Sequence, residues 1–389
     1  MQKFSLLFSI ILMLNSCNSS PKTYVNKDDN QITIPYYIDI ENNINNYETT
    51  CLSRLGKELS YIPLETNAQS LIKRINEIQF SNNYIFISDF DRLLQFNREG
   101  KFVRQVGRNG KGPGEYIYVS GFCIDEKREK IYILAWSIKT ILEYDFNGLF
   151  IRSFKISFET TQFAHTDPDN FVFAIPNIPQ NPNSEFRLIV TDNMGIQKIR
   201  IKNHNRFYKK PPLMATKIPM YFFKDTLRTM ESRIDTLNTF YDGKLVPYAI
   251  FNLGQTKMEP DIAVPLQNPE RGEFDNRIKD KLWIWTISES NEYLFIKFNL
   301  GLSDSSKYGI FNKHTSETKF LVKNGFNDDI GIGIPFWPRY VYNDTLLVDF
   351  QDAYKILNVT QGTLKPSEKY ENLIKVLSET SNPVLIVLR

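Results

Sequence analysis

The sequence predicts an all-β fold, a six-bladed β-propeller with a short C-terminal helix and a closing strand. One observation is a turn motif, with Asn or Asp early and Gly at its end, that returns along the chain. It ends at Gly100, Gly148, Gly195, Gly243 and Gly362, and Phe311–Ser316 holds the same place without a glycine. Alternating apolar residues flank most of these turns, as half-buried strands require.

The spacing of the motif is the second observation. The intervals between its successive end positions are 48, 47, 48, 73 and 46 residues. A repeat of this length is typical of propeller blades, and Gly at the turn end adopts the positive φ that such hairpins need. The 73-residue interval is too short for two units. We therefore expect six blades, with an insertion at Glu259–Lys281 that holds a loop and a short helical turn.

Composition agrees with this fold and excludes one class of function. Aromatic residues make up 14% of the 389 residues, which suits strands on pleated surfaces. The net charge is only +3, and basic and acidic residues are interspersed. A nucleic-acid-binding protein usually carries a clustered basic face, so the sequence predicts no nucleic-acid partner.

The first 17 residues read as a lipoprotein signal peptide. Lys3 precedes an apolar run at Phe4–Leu14, which is too short to span a bilayer, and Leu14-Asn15-Ser16-Cys17 follows. We expect cleavage before Cys17 and acylation of that cysteine, which would anchor the protein stably to the membrane. The alternative is an ordinary signal peptide with an incidental cysteine. We expect the protein to be anchored to the outer membrane of a bacterial envelope, on either its periplasmic or its surface face.

Residues 18–58 are predicted to form a tether and N-terminal segment, and residues 59–389 the propeller. Blade one is predicted to hold strands at Ile72–Phe80, Tyr84–Ser88, Leu93–Asn97 and Lys101–Val106, and blade two at Gly121–Asp125, Lys130–Ala135, Thr140–Tyr144 and Phe150–Ile156. Blade three is predicted to run from Gln162 to Ile201. Blade four is predicted to hold strands at Thr226–Glu231, Thr236–Phe240 and Leu245–Phe251, and blade five at Leu282–Ile287, Tyr293–Asn299, Lys307–Phe311 and Thr318–Val322.

Blade six and the closure of the ring are predicted separately. The sequence predicts strands at Arg339–Tyr342, Thr345–Phe350 and Ala353–Asn358, with a weak last strand near Thr363. Apolar residues at helical spacing predict a helix within Ser367–Glu379. The strands Leu59–Leu64 and Val384–Leu388 are both candidates for closing the ring, because the two chain ends often pair there.

The chain resembles the six-bladed β-propeller lipoproteins of Bacteroidetes, which are similar in style to NHL-repeat propellers. The resemblance is carried by Tyr61-Ile62-Pro63-Leu64-Glu65-Thr66, by Phe96–Tyr116 with its Gly110-Lys111-Gly112-Pro113-Gly114-Glu115-Tyr116 block, and by Asn382-Pro383-Val384-Leu385. It implies the propeller fold and an envelope location. It implies no catalytic residue set. The departure is blade five, whose turn lacks glycine and which the insertion precedes.

The glycine-rich stretch Gly107–Gly114 has two interpretations. A phosphate-binding loop is excluded by context, because Pro113 and a strand follow it where that motif needs a helix. The stretch is then a tight crossing between blades. Its backbone N–H groups could still form an anion nest, with Arg108 and Lys111 as binding residues. Glu115 would compete with an external anion if it paired with one of these cations.

Other candidate binding residues are single side chains. Trp136, Trp337 and Arg339 are expected near strand ends, where exposed aromatic rings can stack on sugars, whereas Trp283 and Trp285 alternate on one strand and are expected to pack in the core. His165 is placed at the start of blade three. No metal or cofactor motif is present; Asp328-Asp329 could hold Ca²⁺, against the simpler interpretation of a solvated loop.

These features lead to one function hypothesis and its alternatives. The leading hypothesis is an envelope-anchored, non-catalytic binding propeller that recognises a glycan, a peptide or an envelope protein. The alternative is a propeller enzyme, a lyase or hydrolase acting on a glycan or peptide, since the fold hosts both. A purely structural scaffold is a third possibility. Convergence of His165 with Tyr and Arg side chains would favour the enzyme. In either case, the ligand site is expected at one mouth of the central channel.

Overall fold

The computed structural model describes residues 24–25, 32–33, 35–166, 169–178, 181–206, 218–231, 234–258, 276–301, 306–359 and 368–389. The chain divides into two units, Met1–Pro35 and Tyr36–Arg389. In the first unit, strand β1 (Tyr24–Val25) pairs antiparallel with β2 (Ile32–Thr33). Cys17 and its predicted lipobox lie outside the described residues.

The second unit is a six-bladed β-propeller, which confirms the predicted fold class. Strands β3 (Tyr36–Asp39), β4 (Tyr47–Glu48) and β5 (Leu59–Pro63) come first. From the inner to the outer strand, blade one consists of β6–β9 (Glu77–Phe80, Tyr84–Ser88, Leu93–Asn97, Phe102–Val106) and blade two of β12–β15 (Gly121–Asp125, Lys130–Ala135, Thr140–Asp145, Phe150–Lys155). Blade three consists of β16–β19 (Gln162–Thr166, Asn170–Ala174, Phe186–Thr191, Gln197–Lys202) and blade four of β20–β23 (Met220–Phe223, Thr226–Met230, Thr236–Tyr241, Lys244–Asn252). Blade five consists of β24–β27 (Leu282–Glu289, Tyr293–Leu300, Ser306–Asn312, Thr318–Leu321). Between blades one and two, β10 (Arg108–Asn109) pairs parallel with β11 (Glu115–Tyr116).

Blade six is built from both ends of the chain. Its strand order is β28 (Tyr340–Tyr342), β29 (Leu346–Gln351), β30 (Val384–Leu388) and then β5. Both closing candidates are therefore used, because β30 is the third strand and β5 the outer one. Helices α1 (Ala353–Val359) and α2 (Glu368–Val376) lie between β29 and β30.

The prediction of a strand at Ala353–Asn358 was wrong. Ala353 and Ile356, three residues apart, are the buried residues of this segment, which is a helical and not a strand period. The strand position is taken by β30, whose five residues are all buried. The weak strand near Thr363 lies outside the described residues, whereas α2 confirms the helix predicted within Ser367–Glu379.

The blades stack face to face, and this explains the apolar runs of the middle strands. Ile85, Phe86 and Ile87 in β7 are all fully buried, although their side chains point alternately to opposite faces. A strand that is covered on both faces reads as a continuous hydrophobic run. The core is thus distributed over the seams between neighbouring blades.

The repeated turn motif joins the third and fourth strands of blades one to five. Gly100, Gly148, Gly195 and Gly243 all have positive φ, and Ser316 takes this conformation in blade five with φ +59°. Each of the four glycine turns packs on the outer strand of the neighbouring blade that precedes it in the ring. A Cβ at Gly195 would lie 2.3 Å from the carbonyl oxygen of Lys155, so the position excludes a side chain as well as favouring positive φ. Gly362 lies outside the described residues.

The N-terminal segment runs along the outer edges of three blades. Strand β3 pairs parallel with β23 of blade four, and β4 pairs parallel with β27 of blade five. Strand β5 then completes blade six. Of the inserted segment before blade five, residues 276–278 are helical and residues 259–275 lie outside the described part. Among the described helices, none has the length and apolar character needed to cross a membrane.

A buried charged network joins blades four and five. The Glu289 carboxylate is inaccessible to solvent and accepts a hydrogen bond from Lys313 Nζ at 2.6 Å. The hydroxyls of Tyr221 and Tyr248 donate to the same carboxylate, and Arg228 Nε lies 4.0 Å from it. Burial lowers the pKa of Lys313, and the Glu289 charge opposes this shift. Glu289 therefore neutralises two cations inside the seam.

The alternation of strand directions gives the ring two distinct faces. The turns between first and second strands, and between third and fourth strands, all lie on one side, which we call the hairpin face. The connections between second and third strands and the crossings from blade to blade lie on the other side, the crossover face. Helix α1 is on the crossover face because it follows the second strand of blade six.

Candidate functional site

A cleft of about 720 Å³ opens on the crossover face between blades five and six. We call it the basic cleft and define it by six of its lining residues: Trp285, Lys297, Tyr308, Trp337, Arg339 and Lys355. The first three come from β24, β25 and β26. Trp337 and Arg339 belong to the crossing into β28, and Lys355 belongs to α1.

Trp285 presents its ring to the cleft because β24 contains a bulge. The pairing register between β24 and β25 shifts between Ile284 and Thr286, which leaves Trp285 outside the regular ladder. Trp283 is buried, whereas Trp285 is 39% exposed. The prediction that both rings share one buried face was therefore wrong for Trp285. The two rings still touch edge to face, with centroids 5.4 Å apart.

Arg339 is held in place by a buried carboxylate and an aromatic ring. Its Nε lies 2.7 Å from Oδ1 of Asp349, whose side chain is 1% exposed, while the Arg339 side chain is 44% exposed. Its guanidinium carbon lies 4.4 Å from the centre of the Phe350 ring. Its two terminal nitrogens donate to no acceptor among the described residues. A fixed guanidinium therefore keeps the donors of its fork available to the cleft.

Asp349 positions Arg339 and is itself fully engaged. Its carboxylate accepts hydrogen bonds from the backbone N–H groups of Trp337 at 3.0 Å and Phe350 at 2.8 Å. Burial raises the pKa of Asp349, and the Arg339 charge and these hydrogen bonds oppose that rise. Asp349 is thus a fixed anchor for the guanidinium, without a free oxygen in a position to act on a ligand.

Lys297 is a half-buried cation without a counter-ion in the described part of the chain. It lies on β25 between Ile296 and Phe298, which are both fully buried. No described carboxylate lies within ion-pair distance of its ammonium, and its nearest aromatic contact is the Tyr308 ring at 5.6 Å. Burial lowers the pKa of Lys297, and the positive charge of Arg339 lowers it further. An anion in the cleft would relieve both effects.

The other polar groups of the cleft complete its chemistry. Lys355 pairs with Asp352 at 3.1 Å on the surface of α1. The amides of Asn324, Gln351 and Asn358 also line the cavity. The cleft therefore combines cationic donors, an exposed aromatic ring and amides, which suits an anionic ligand that also carries polar groups.

Comparison with known proteins places the chain in a family. A protein-family profile described as a domain of unknown function, DUF4934, matches residues 35–389. The chain belongs to the DUF4934 family. No curated protein matches it.

Two solved structures are similar to this DUF4934 chain to different degrees. One is a putative exported protein from Bacteroides fragilis, at 19% identity and a TM-score of 0.71, covering 91% of this chain and 99% of that chain. The other is a member of the DUF4221 family from Bacteroides vulgatus, at 12% identity and a TM-score of 0.44, covering 68% of this chain and 84% of that chain. The first similarity supports the six-bladed fold.

Trp337, which the sequence places on a binding surface, has its ring in the core of the DUF4934 chain. It is 4% exposed and packs edge to face on Phe295 and Tyr308, with centroids 5.9 and 4.9 Å away. The residue also lines the basic cleft. Trp337 and Arg339 are thus brought together, and the accessible indole in this cleft is that of Trp285.

His165 lies on the opposite face from Arg339. It is the fourth of the five residues of β16, the first strand of blade three, and borders a separate cavity of about 990 Å³ on the hairpin face. Its ring stacks on Tyr132 with centroids 4.9 Å apart, and its Nδ1 lies 3.7 Å from Asp125. The structure therefore does not bring His165 and Arg339 into one site. Within the described residues, no group of three or more His, Cys, Asp or Glu side chains could hold a metal.

The Gly107–Gly114 loop of the DUF4934 chain is filled by its own carboxylate. Glu115 Oε2 accepts a hydrogen bond from the Gly112 N–H at 2.8 Å, and Arg108 Nε lies 2.6 Å from Glu115 Oε1. These bonds lower the pKa of Glu115, the backbone bond from Gly112 most of all. Arg108 and Lys111 are exposed beside a nest that an internal anion already occupies.

The remaining candidates lie apart from the cleft. Trp136 is 46% exposed in a short 3-10 turn after β13. The Asp328 carboxylate accepts hydrogen bonds from the backbone of Gly331 and Gly333, and Asp329 accepts from Ser53. The oxygens proposed for Ca²⁺ are thus already bonded within the chain.

Sequence reasoning missed Lys297 and Trp285. A signal for Lys297 was present, because a lysine stands alone in the apolar strand Tyr-Leu-Phe-Ile-Lys-Phe. Such a residue is either at a strand edge or a functional group inside a seam. The bulge that turns Trp285 outward has no comparable signal.

Proposed function

We propose that this DUF4934 protein is a non-catalytic binding propeller of the bacterial envelope, anchored through Cys17, which holds an anionic group of its ligand in the basic cleft. Its lipobox and the exported character given to its Bacteroides fragilis structural neighbour support the location. The propeller ring and the cleft on its crossover face support the binding role.

One observation carries the proposal, the half-buried ammonium of Lys297 without a described counter-ion. Desolvating a charge is unfavourable unless a partner compensates. The two most deeply buried cations described in blades four and five, Lys313 and Arg228, both lie beside the Glu289 carboxylate. Lys297 faces a cavity instead, together with the Arg339 fork. A bound anion is the partner that this arrangement lacks.

The cleft geometry favours binding over turnover. The carboxylate among its described lining residues, Asp349, is occupied by Arg339 and two backbone N–H groups. A general base needs a free lone pair within hydrogen-bond reach of the ligand. The alternative function, a lyase or hydrolase, is tested in the same sample by looking for products formed from the ligand.

The test is a thermal-shift screen of the purified full chain in detergent. Host and microbial glycans, peptidoglycan fragments and peptides would each be added, in anionic and neutral forms. A ligand at a hundredfold over its dissociation constant stabilises the folded state by about 2.7 kcal/mol. We expect shifts with anionic ligands that Lys297→Met abolishes and Lys101→Met, at an exposed cation on the hairpin face, retains. Shifts that are equal in both variants would refute the site, and products formed in the sample would favour the enzyme.

The anchor is tested independently of the ligand. In cell fractionation we expect the wild-type chain in the membrane fraction and the Cys17→Ser variant outside it. An unchanged membrane distribution of Cys17→Ser would contradict lipidation at Cys17.

A further inference from the structure

We infer that the ligand of the basic cleft is an acidic glycan, with a uronic-acid carboxylate between Arg339 and Lys297 and its sugar ring against Trp285. This inference rests on the proposed binding function and names the ligand class.

The guanidinium selects a planar anion. Arg339 uses Nε for Asp349 and lies on the Phe350 ring, so its orientation is fixed before any ligand arrives. Its remaining donors form the edge of a planar fork. A carboxylate matches such a fork with two parallel hydrogen bonds, and lysine cannot reproduce this geometry.

The ammonium adds a second cation to the same cavity. Lys297 borders the cleft, and the charge of Arg339 is close enough to lower its pKa. Two like charges that face one cavity repel each other until an anion is placed between them. Their combined effect therefore favours a single negative group over a neutral polar one.

The indole and the amides describe the rest of the ligand. Trp285 is 39% exposed on the cleft wall, and one large aromatic face suits a ring that carries C–H groups on one side. Asn324, Gln351 and Asn358 can each donate and accept hydrogen bonds, as sugar hydroxyls do. A carboxylated pyranose satisfies all three features at once, whereas an acidic peptide leaves the flat indole face without a matched ring.

The experiment is calorimetric titration of the full chain with matched oligosaccharides. The probes are galacturonate, glucuronate-containing and mannuronate oligomers, the methyl ester of the galacturonate oligomer, a neutral oligomer of equal length, and pentaglutamate as an acidic peptide. We expect at least one uronate to bind. We expect its uncharged form to bind roughly tenfold more weakly or worse, because charge-assisted hydrogen bonds are lost.

Three variants connect binding to the named residues. Lys297→Met and Arg339→Lys should each weaken uronate binding by roughly tenfold or more, the second because it keeps charge but loses the fork. Trp285→Ala should weaken acid and neutral oligomers alike, and Lys101→Met should change nothing. The midpoint of unfolding without ligand checks that each variant is folded, and Lys297→Met remains informative if Arg339→Lys is unstable.

The failures are distinguishable. Equal affinity for a uronate and its methyl ester would overturn carboxylate recognition. Binding of pentaglutamate without binding of any uronate would overturn the glycan class but leave the proposed function intact. If no anionic probe binds and Lys297→Met changes no ligand response, both the inference and the proposed function are wrong.

Discussion

Substitution of Lys297 by methionine should stabilise the protein and impair its binding at the same time. Lys297 is half-buried between two buried apolar residues and has no described counter-ion. Methionine has a similar length and no charge, so it fills the same space without a desolvated ammonium. No buried carboxylate loses a partner in this change. Arg339→Met differs, because it would leave Asp349 buried and unpaired.

The size of each effect follows from these contacts. Removing an uncompensated polar group at a functional site typically stabilises by about 0.5–2 kcal/mol. For a folded unit of this length, that is roughly 1–3 °C in the unfolding midpoint. Loss of one hydrogen bond to a charged group costs about 1.5–3 kcal/mol of binding free energy, roughly a 10- to 150-fold loss of affinity.

The assay combines differential scanning calorimetry without ligand and titration with an anionic oligosaccharide. Lys101→Met is the control, because it removes an exposed cation far from the cleft and should change neither quantity measurably. A lower midpoint for Lys297→Met would show that the ammonium has a structural partner. Unchanged affinity would show that the basic cleft does not hold the anion, and either result would refute the reasoning.

Three further predictions concern stability and pH. Glu289→Gln should destabilise the protein by about 3–5 kcal/mol in denaturant unfolding, because it leaves two buried cations without their carboxylate, whereas the exposed Glu317→Gln should cost less than about 1 kcal/mol. Gly195→Ala should be clearly more destabilising than Gly333→Ala. Both have φ near +80°, but a Cβ would meet the Lys155 carbonyl at Gly195 and nothing within 4 Å at Gly333; equal costs would contradict the packing of the turn. Affinity for an anion should fall as pH rises through the lowered pKa of Lys297, because the bound anion favours the protonated amine. Without ligand, the gain in stability of Lys297→Met over the wild type should shrink over the same pH range. An affinity that does not change with pH would contradict the role of this charge.

Local chemistry made the repeat predictable. Each glycine turn needs positive φ, and the turn of each blade repeats because each blade packs on the one before it. These turns mark blades one to five, including the blade where Ser316 replaces glycine, whereas blade six is completed by the two ends of the chain. These are signals within a few residues, which a sequence displays directly.

Long-range pairing was not predictable in the same way. Strand β30 pairs with β5 across most of the chain, with Ile386 opposite Tyr61, and no local pattern decides which strand fills which position in blade six. From the sequence alone, the apolar segment Ala353–Asn358 is therefore a candidate for the strand position that β30 occupies. The edge strand β4 has only two residues and is too short to stand out from a polar tether.

The site was only half visible from the sequence. Arg339 was found because it follows a tryptophan where a blade begins, although that tryptophan packs inward. Lys297 and Trp285 become functional candidates only when the bulge of β24 and the missing counter-ion are seen together. Both depend on how blade five meets blade six, which is a property of the packed ring.

The most direct test of the account is a crystal structure of the full chain with a bound uronate oligomer. We expect a carboxylate on the terminal nitrogens of Arg339, within hydrogen-bond distance of Lys297 Nζ, and a sugar ring on the face of Trp285. An oligomer bound at the His165 cavity on the hairpin face, with the basic cleft empty, would contradict it.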